Sequence, residues 1–74
     1  MDAKRRTVVI MSYTLKELSG IYKTSLYLMR RSLEEHKRAI GKRKGYYYKT
    51  EQVQIIFQLI ALPSDVDLVV RGNA

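Results

Sequence analysis

Residues 13–33, YTLKELSGIYKTSLYLMRRSL, decide the fold, because they read as two short amphipathic helices joined by a tight polar turn. Thr14 followed three residues later by Glu17 matches a capping box, in which the Thr hydroxyl accepts from a first-turn N–H and the Glu carboxylate accepts from the N–H of Thr14. A first helix starts there, with Leu15, Leu18, Ile21 and Tyr22 at helical spacing on its buried side and Lys16 and Ser19 pointing outward. Gly20 weakens its last turn. Thr24 or Ser25 caps a second helix running to about Lys37. Its apolar positions Leu26, Leu28, Met29 and Leu33 are expected to face inward around Ser32, leaving Tyr27, Arg30, Arg31, Glu34 and Arg38 outside. Two helices around a polar turn, the second carrying paired arginines, make the pattern of a helix-turn-helix.

Downstream, residues 40–50 change character: glycines at 41 and 45 punctuate a basic run, and Gly45 between KRK and YYY predicts a turn between two short strands. On a strand, Tyr46 and Tyr48 share one face and Tyr47 takes the other, so at least one tyrosine packs inward and at least one is exposed. Thr50, with Glu51 in the first turn, opens a third helix that ends at Pro63. Val53, Ile56, Phe57 and Ile60 supply its core stripe, while Ile55, Leu59 and Leu62 add a second apolar arc that so small a core cannot readily use. Residues 7–11 (TVVIM) and 67–71 (DLVVR) are β-branched and strand-like. They can cover the surplus face of the third helix, pair with each other, or pair between chains. The expected organisation is a basic and apolar N-terminal arm at 1–12, a domain at 13–63 and a C-terminal tail at 64–74.

The chain has 74 residues, room for one domain that buries about 60% of its unfolded surface, so a deep catalytic cleft is not expected. Lys and Arg number 14 against 7 Asp and Glu, and a net charge of +7 on so short a chain favours a polyanionic partner, nucleic acid first and an anionic membrane surface second. No cysteine is present, which removes disulfides and thiolate metal sites, so the core holds by packing alone. The longest apolar candidate, residues 53–62, is too short to span a bilayer and contains two glutamines. The N-terminus lacks the length and cleavage site of a signal peptide, so the expected location is cytoplasmic, without a membrane partner. His36 is the lone histidine and has no cysteine or clustered carboxylate at ligand spacing, so no metal or other cofactor is expected. Glu34 and Glu35 point to different sides of a helix and cannot cooperate as acid and base, and no nucleophile or phosphate-loop motif occurs; the expectation is not an enzyme.

Over residues 13–62 the order of these signals resembles the winged helix-turn-helix of MerR-type regulators and of the small excisionase-like proteins of bacteria and phages. The resemblance rests on Tyr13 and Thr14 before helix one, a turn over residues 22–25 ending in Ser25, the basic Gly-centred segment 42–47, and Tyr48 leading into helix three. It implies a mainly α fold of three helices plus a β-hairpin wing, with short terminal strands as an addition. It implies that residues 25–31 enter the major groove and that the wing lies against the backbone or in the minor groove. The chain departs from the pattern at Lys23, where glycine is usual, at Leu26, where a polar residue is usual, and at Lys49, where a capping Ser or Thr is common. No long dimerisation helix or effector domain follows, so the resemblance implies a minimal duplex DNA-binding domain, a transcriptional regulator or, alternatively, an excisionase-like factor that bends DNA for a recombinase.

The residues expected to carry binding follow. On the reading element they are Lys23, Thr24, Ser25, Tyr27, Arg30 and Arg31; forked guanidinium donors suit guanine O6 and N7 or flanking phosphates. On the wing they are Lys42, Arg43, Lys44, Tyr46 and Tyr47, where each neutralised phosphate releases counterions. Aromatics beside a basic loop also suit stacking on single-stranded bases, but the helix-turn-helix pattern favours a duplex. Lys4, Arg5 and Arg6 form a candidate minor-groove arm or a solubilising end. The rival from another class is a protein-interaction module docking a partner on Leu26, Ile55 and Leu59. A homodimer through Ile55, Leu59 or the terminal strands fits either reading, since one small module buries only about 600–1,000 Å² on DNA.

Overall fold

The computed structural model describes residues 4–70, which form a small α/β domain of four short helices and two two-stranded sheets. In chain order these are β1 (Arg6–Val9), β2 (Tyr13–Thr14), α1 (Leu15–Ile21), α2 (Leu26–Glu35), α3 (Lys37–Ile40), β3 (Tyr47–Tyr48), α4 (Thr50–Leu59) and β4 (Val66–Val69). One core holds them together: Val8 from β1, Leu15 and Leu18 from α1, Met29 and Leu33 from α2, Ile40 from α3, and Val53, Ile56 and Phe57 from α4. Leu18, Val53 and Ile56 are wholly removed from solvent. Phe57 lies between the rings of Tyr13 and Tyr22, at centroid separations of 6.5 and 6.2 Å, tilted as aromatic pairs prefer. Burial raises the phenol pKa of Tyr22, whose hydroxyl donates to the carbonyl of Ile60 at 2.8 Å and so ties α1 to the end of α4.

The local signals around α1 are realised as expected. Thr14 Oγ1 accepts from the N–H of Glu17 at 3.1 Å and Glu17 Oε1 accepts from the N–H of Thr14 at 2.9 Å, closing the capping box. The helix ends in a Schellman motif: the N–H of Thr24 donates to the carbonyl of Ser19 and that of Lys23 to Gly20, with Lys23 in the left-handed region at φ 54°. Ser25 then caps α2, its Oγ accepting from the N–H of Leu28 at 3.1 Å.

Several expectations are corrected. Four helices replace three, because the chain breaks at His36 and turns again through α3 to bury Ile40. Ser19 is buried rather than outward, its hydroxyl satisfied by donating to the carbonyl of Lys16 at 2.7 Å. Leu26 and Leu28 are exposed, because α2 reaches the core through Met29 and Leu33 alone. The hairpin wing is reduced to a single bridge between Lys44 and Tyr47 across Gly45, which sits at φ 71°. Tyr47–Tyr48 pairs instead with Tyr13–Thr14, antiparallel, because Tyr48 packs against the core beside Tyr13. Helix α4 is capped from Lys49, not Thr50: Gln52 Oε1 accepts from the N–H of Lys49 at 2.9 Å. Ile55 packs half-buried against the core, so Leu59 is what remains exposed of the surplus arc within α4.

The segments read as arm and tail pair with each other as the parallel strands β1 and β4, in register Arg6 with Val66 through Val9 with Val69. Arg6 clamps them to α1, donating to Asp65 at 2.9 Å and to the carbonyls of Ile21 and Gly20 at 2.9 and 3.3 Å. The Arg6 hydrogen bond, helped by Lys23 at 3.4 Å, holds the Asp65 carboxyl down at about 2. A carboxylate whose folded pKa lies below its unfolded value stabilises the fold fully above the unfolded value and progressively less as pH falls through the folded one. The domain should therefore lose stability between about pH 4 and pH 2, read as falling Tm in thermal circular dichroism. Asp65→Asn should lower Tm at pH 7 and flatten that acid limb; an unchanged acid limb would remove Asp65 from this role.

Candidate nucleic-acid interface

Helix α2 leaves the Lys23 turn with one side held in the core and the rest in water. Tyr27 is 64% exposed, and the guanidinium of Arg31, one turn later, lies 5.9 Å from its ring centroid. That contact orients both side chains on the outer surface of the helix. Arg30 turns the other way. It lines an open groove of about 550 Å³ between α2, α3 and the segment leading to β3. The groove is walled by Arg30, Lys37, Arg38, Lys42 and Arg43 against a single carboxylate, Glu34, and Leu33 and Ile40 provide apolar floor. Lys37 Nζ reaches Glu34 at 3.5 Å, an exposed pair of small energetic weight. The guanidinium of Arg43 stacks over Tyr48, 5.1 Å from the ring centroid, which holds its charge over the groove.

The basic segment is fixed by a residue that carries no charge. Gln52, on the first turn of α4, donates from Nε2 to the carbonyls of Ile40 and Lys42, both at 3.2 Å, while its Oε1 holds the N–H of Lys49. Between those two carbonyls Gly41 takes φ 86°, a conformation that side chains rarely adopt. The chain from α3 into the Lys42–Lys44 run is thus anchored through its backbone, with Lys42 and Lys44 in solvent and Arg43 half-buried on Tyr48. Beyond it, Tyr46 is 82% and Tyr47 56% exposed at the tip.

Eight of the expected residues fall into three groups, and the other six serve the fold or stand apart. Arg30, Lys42 and Arg43 converge on the groove; Tyr27 and Arg31 form a separate pair on α2; Lys44, Tyr46 and Tyr47 surround the Gly45 turn. Ser25 and Thr24 serve as cap and turn, and Lys23 is drawn to Asp65. Arg5 and Arg6 are matched by acids: Arg5 meets Asp67 at 2.6 Å and holds its pKa below the ordinary carboxylate range, while Arg6 binds Asp65. Lys4 is exposed. Sequence reasoning missed Lys37 as a wall of the groove, Lys49 on the far side of the basic loop, and Gln52. The signal for Gln52 was present, since a Gln three residues after a cap position is the second half of a capping box.

Among the described residues no three His, Cys, Asp or Glu side chains come together as a metal site, and no helix is long and apolar enough to cross a membrane. Gln52→Glu separates the two roles of its amide: the carboxylate still accepts from Lys49 but cannot donate to Ile40 and Lys42. It should keep the α4 helix signal in circular dichroism while amide exchange across residues 41–45 accelerates by about an order of magnitude or more. Exchange there at the wild-type rate would remove Gln52 as the anchor. No family model, curated protein or solved structure matches this chain.

Proposed function

We propose that the domain binds duplex DNA as a minimal winged helix-turn-helix, with α2 in the major groove and the 42–47 loop as a compact wing on the sugar-phosphate backbone. The observation that carries this reading is the groove in which Arg30 of the helix and Lys42 and Arg43 of the loop face one another across an apolar floor. A cationic channel that joins an exposed helix face to a backbone-anchored loop suits a phosphate strand running between them, because phosphates supply most of the affinity and fix register. The tight turn with Lys23 at φ 54°, followed at once by the Ser25 cap, supports it by presenting the first turn of α2 outward. Tyr27 and Arg31 are then the pair that faces the bases of the major groove, and Tyr46 and Tyr47 flank the phosphates.

Regulation of transcription is the first role we assign. One observation favours an architectural role like that of excisionases: Leu26, the opening residue of α2, is 44% exposed and offers bases an apolar contact in place of a hydrogen bond. Recognition then leans on thymine methyls and on DNA deformability, and a recombinase becomes the natural protein partner. Bound sites repeated in helical phase, with bending, distinguish this role from a lone operator.

Fluorescence anisotropy with a labelled random-sequence duplex over a salt series tests the reading. Micromolar binding at low salt should weaken steeply with salt, and the Lys42→Ala/Arg43→Ala/Lys44→Ala variant should show a log–log slope shallower by about 2 to 3. Absence of binding at low salt, or an unchanged slope in the variant, would overturn it and favour a protein-docking role for exposed Leu26, Leu28 and Leu59.

A further inference from the structure

The β1–β4 pair is out of keeping with its surroundings. Parallel strands are ordinarily covered on both faces, and an isolated two-stranded ribbon is marginal in water. Here Val66 is half-buried against the core, yet Leu68, Val69 and Val70 are 41%, 42% and 68% exposed. The backbone of β4 is equally unfinished. The N–H of Arg6 donates to the carbonyl of Asp65 at 2.7 Å and that of Ile10 to Val69 at 3.0 Å, so the odd-numbered residues of β4 turn their polar groups toward β1. Leu68 and Val70 therefore turn theirs to the open edge, while the N–H of Val66 is already held by the carbonyl of Pro63 at 3.1 Å.

We propose that this edge is the seam of a two-fold dimer, in which β4 pairs antiparallel with β4 of a second copy about Leu68. In that register Leu68 exchanges both backbone hydrogen bonds with Leu68 of the second copy, and the N–H of Val70 donates across the seam to the carbonyl of Val66, which accepts from no partner among the described residues. Leu68 is the register partner of buried Val8, so Val66, Leu68 and Val70 share the face that β1 turns to the core. Pairing sets leucine against leucine and Val66 against Val70, and extends one apolar face across both copies.

Charge selects a second copy as the occupant. Two chains of net charge +7 repel one another, but at this end Arg5 is matched by Asp67, and Arg6 and Lys23 by Asp65. Like copies approach here with Arg5, Arg6 and Lys23 already matched by acids, whereas the groove walls cannot meet without setting Lys42, Arg43 and Arg30 against their own copies. A four-residue strand and three apolar side chains fall well short of the roughly 800 Å² per partner of a stable interface, so the free dimer is weak, with Kd on the order of 10 μM to 1 mM. The dimer is independent of the DNA reading; if both hold, the two-fold presents two copies of α2 to an inverted repeat.

The test uses free protein without DNA. Sedimentation equilibrium up to about 1 mM should show reversible dimers, and Val70→Pro, which removes an outward-facing edge donor, should be monomeric with unchanged Tm. Because the chain has no cysteine, Leu68→Cys introduces one thiol; an antiparallel hydrogen-bonded pair sets Cα atoms about 5.5 Å apart, within disulfide reach, so mild oxidation should give a covalent dimer. Thr7→Cys, at the exposed position of β1, should crosslink at least about tenfold more slowly. A wild-type chain that stays monomeric at about 1 mM, dimers that persist in Val70→Pro, or crosslinking faster through residue 7 than through residue 68 would each overturn the seam.

Discussion

The outward face of this molecule depends on how little of α2 is buried. Met29 and Leu33, one turn apart, are the side chains through which α2 enters the core, where they join Leu18, Val53 and Ile56. With the helix pinned along so narrow a stripe, most of its ten residues are set at fixed angles in solvent: Tyr27 and Arg31 one way, Arg30 another. Truncating Met29 would cost about 2–5 kcal/mol in a domain whose whole stability is of that order, so the anchor governs both folding and presentation. The Schellman turn through Lys23 and the Ser25 cap settle where the helix begins, and the core settles which way it faces.

A second consequence concerns charge. The cations are sorted by whether an acid stands beside them. Arg5, Arg6 and Lys23 are matched by Asp65 and Asp67, where they bind the terminal strands to each other and to the end of α1. The cations of the groove wall face one carboxylate, and the loop that carries Lys42 and Arg43 is held by Gln52 through backbone carbonyls, leaving Lys42 in solvent and Arg43 resting on the neutral ring of Tyr48. Positive charge fixed in space by neutral contacts costs self-repulsion in the free protein, and a polyanion relieves it. That difference separates a structural arginine such as Arg6 from a candidate contact such as Arg30, although the two are indistinguishable by residue type.

What was legible in the sequence is what local chemistry decides. The Thr14–Glu17 capping box, the Ser25 cap and the Val53, Ile56 and Phe57 stripe lie within a turn or two of their partners and appear where the spacing puts them. The misreadings arise where tertiary contact overrides local preference. Leu26 and Leu28 have core-like side chains, but the rotation of α2 was decided by Met29 and Leu33. The tyrosine run does make a strand, yet its partner is Tyr13–Thr14, more than 30 residues away, and no hairpin rule reports on that. The parallel union of β1 and β4 joins the two ends of the described chain and was one of three open options. Of the candidate site, the cationic residue types were visible; their convergence on one groove, and the diversion of Arg5 and Arg6 into ion pairs, required the fold.

The proposed binding mode grips one phosphate strand of a duplex between α2 and the basic loop. Amide chemical-shift mapping of the isotopically labelled protein, titrated with a short duplex, addresses it most directly. The account predicts shifts concentrated in residues 25–31 and 41–48. Shifts centred on the β1–β4 strands or on the outer face of α4, with residues 25–31 and 41–48 unmoved, would contradict it.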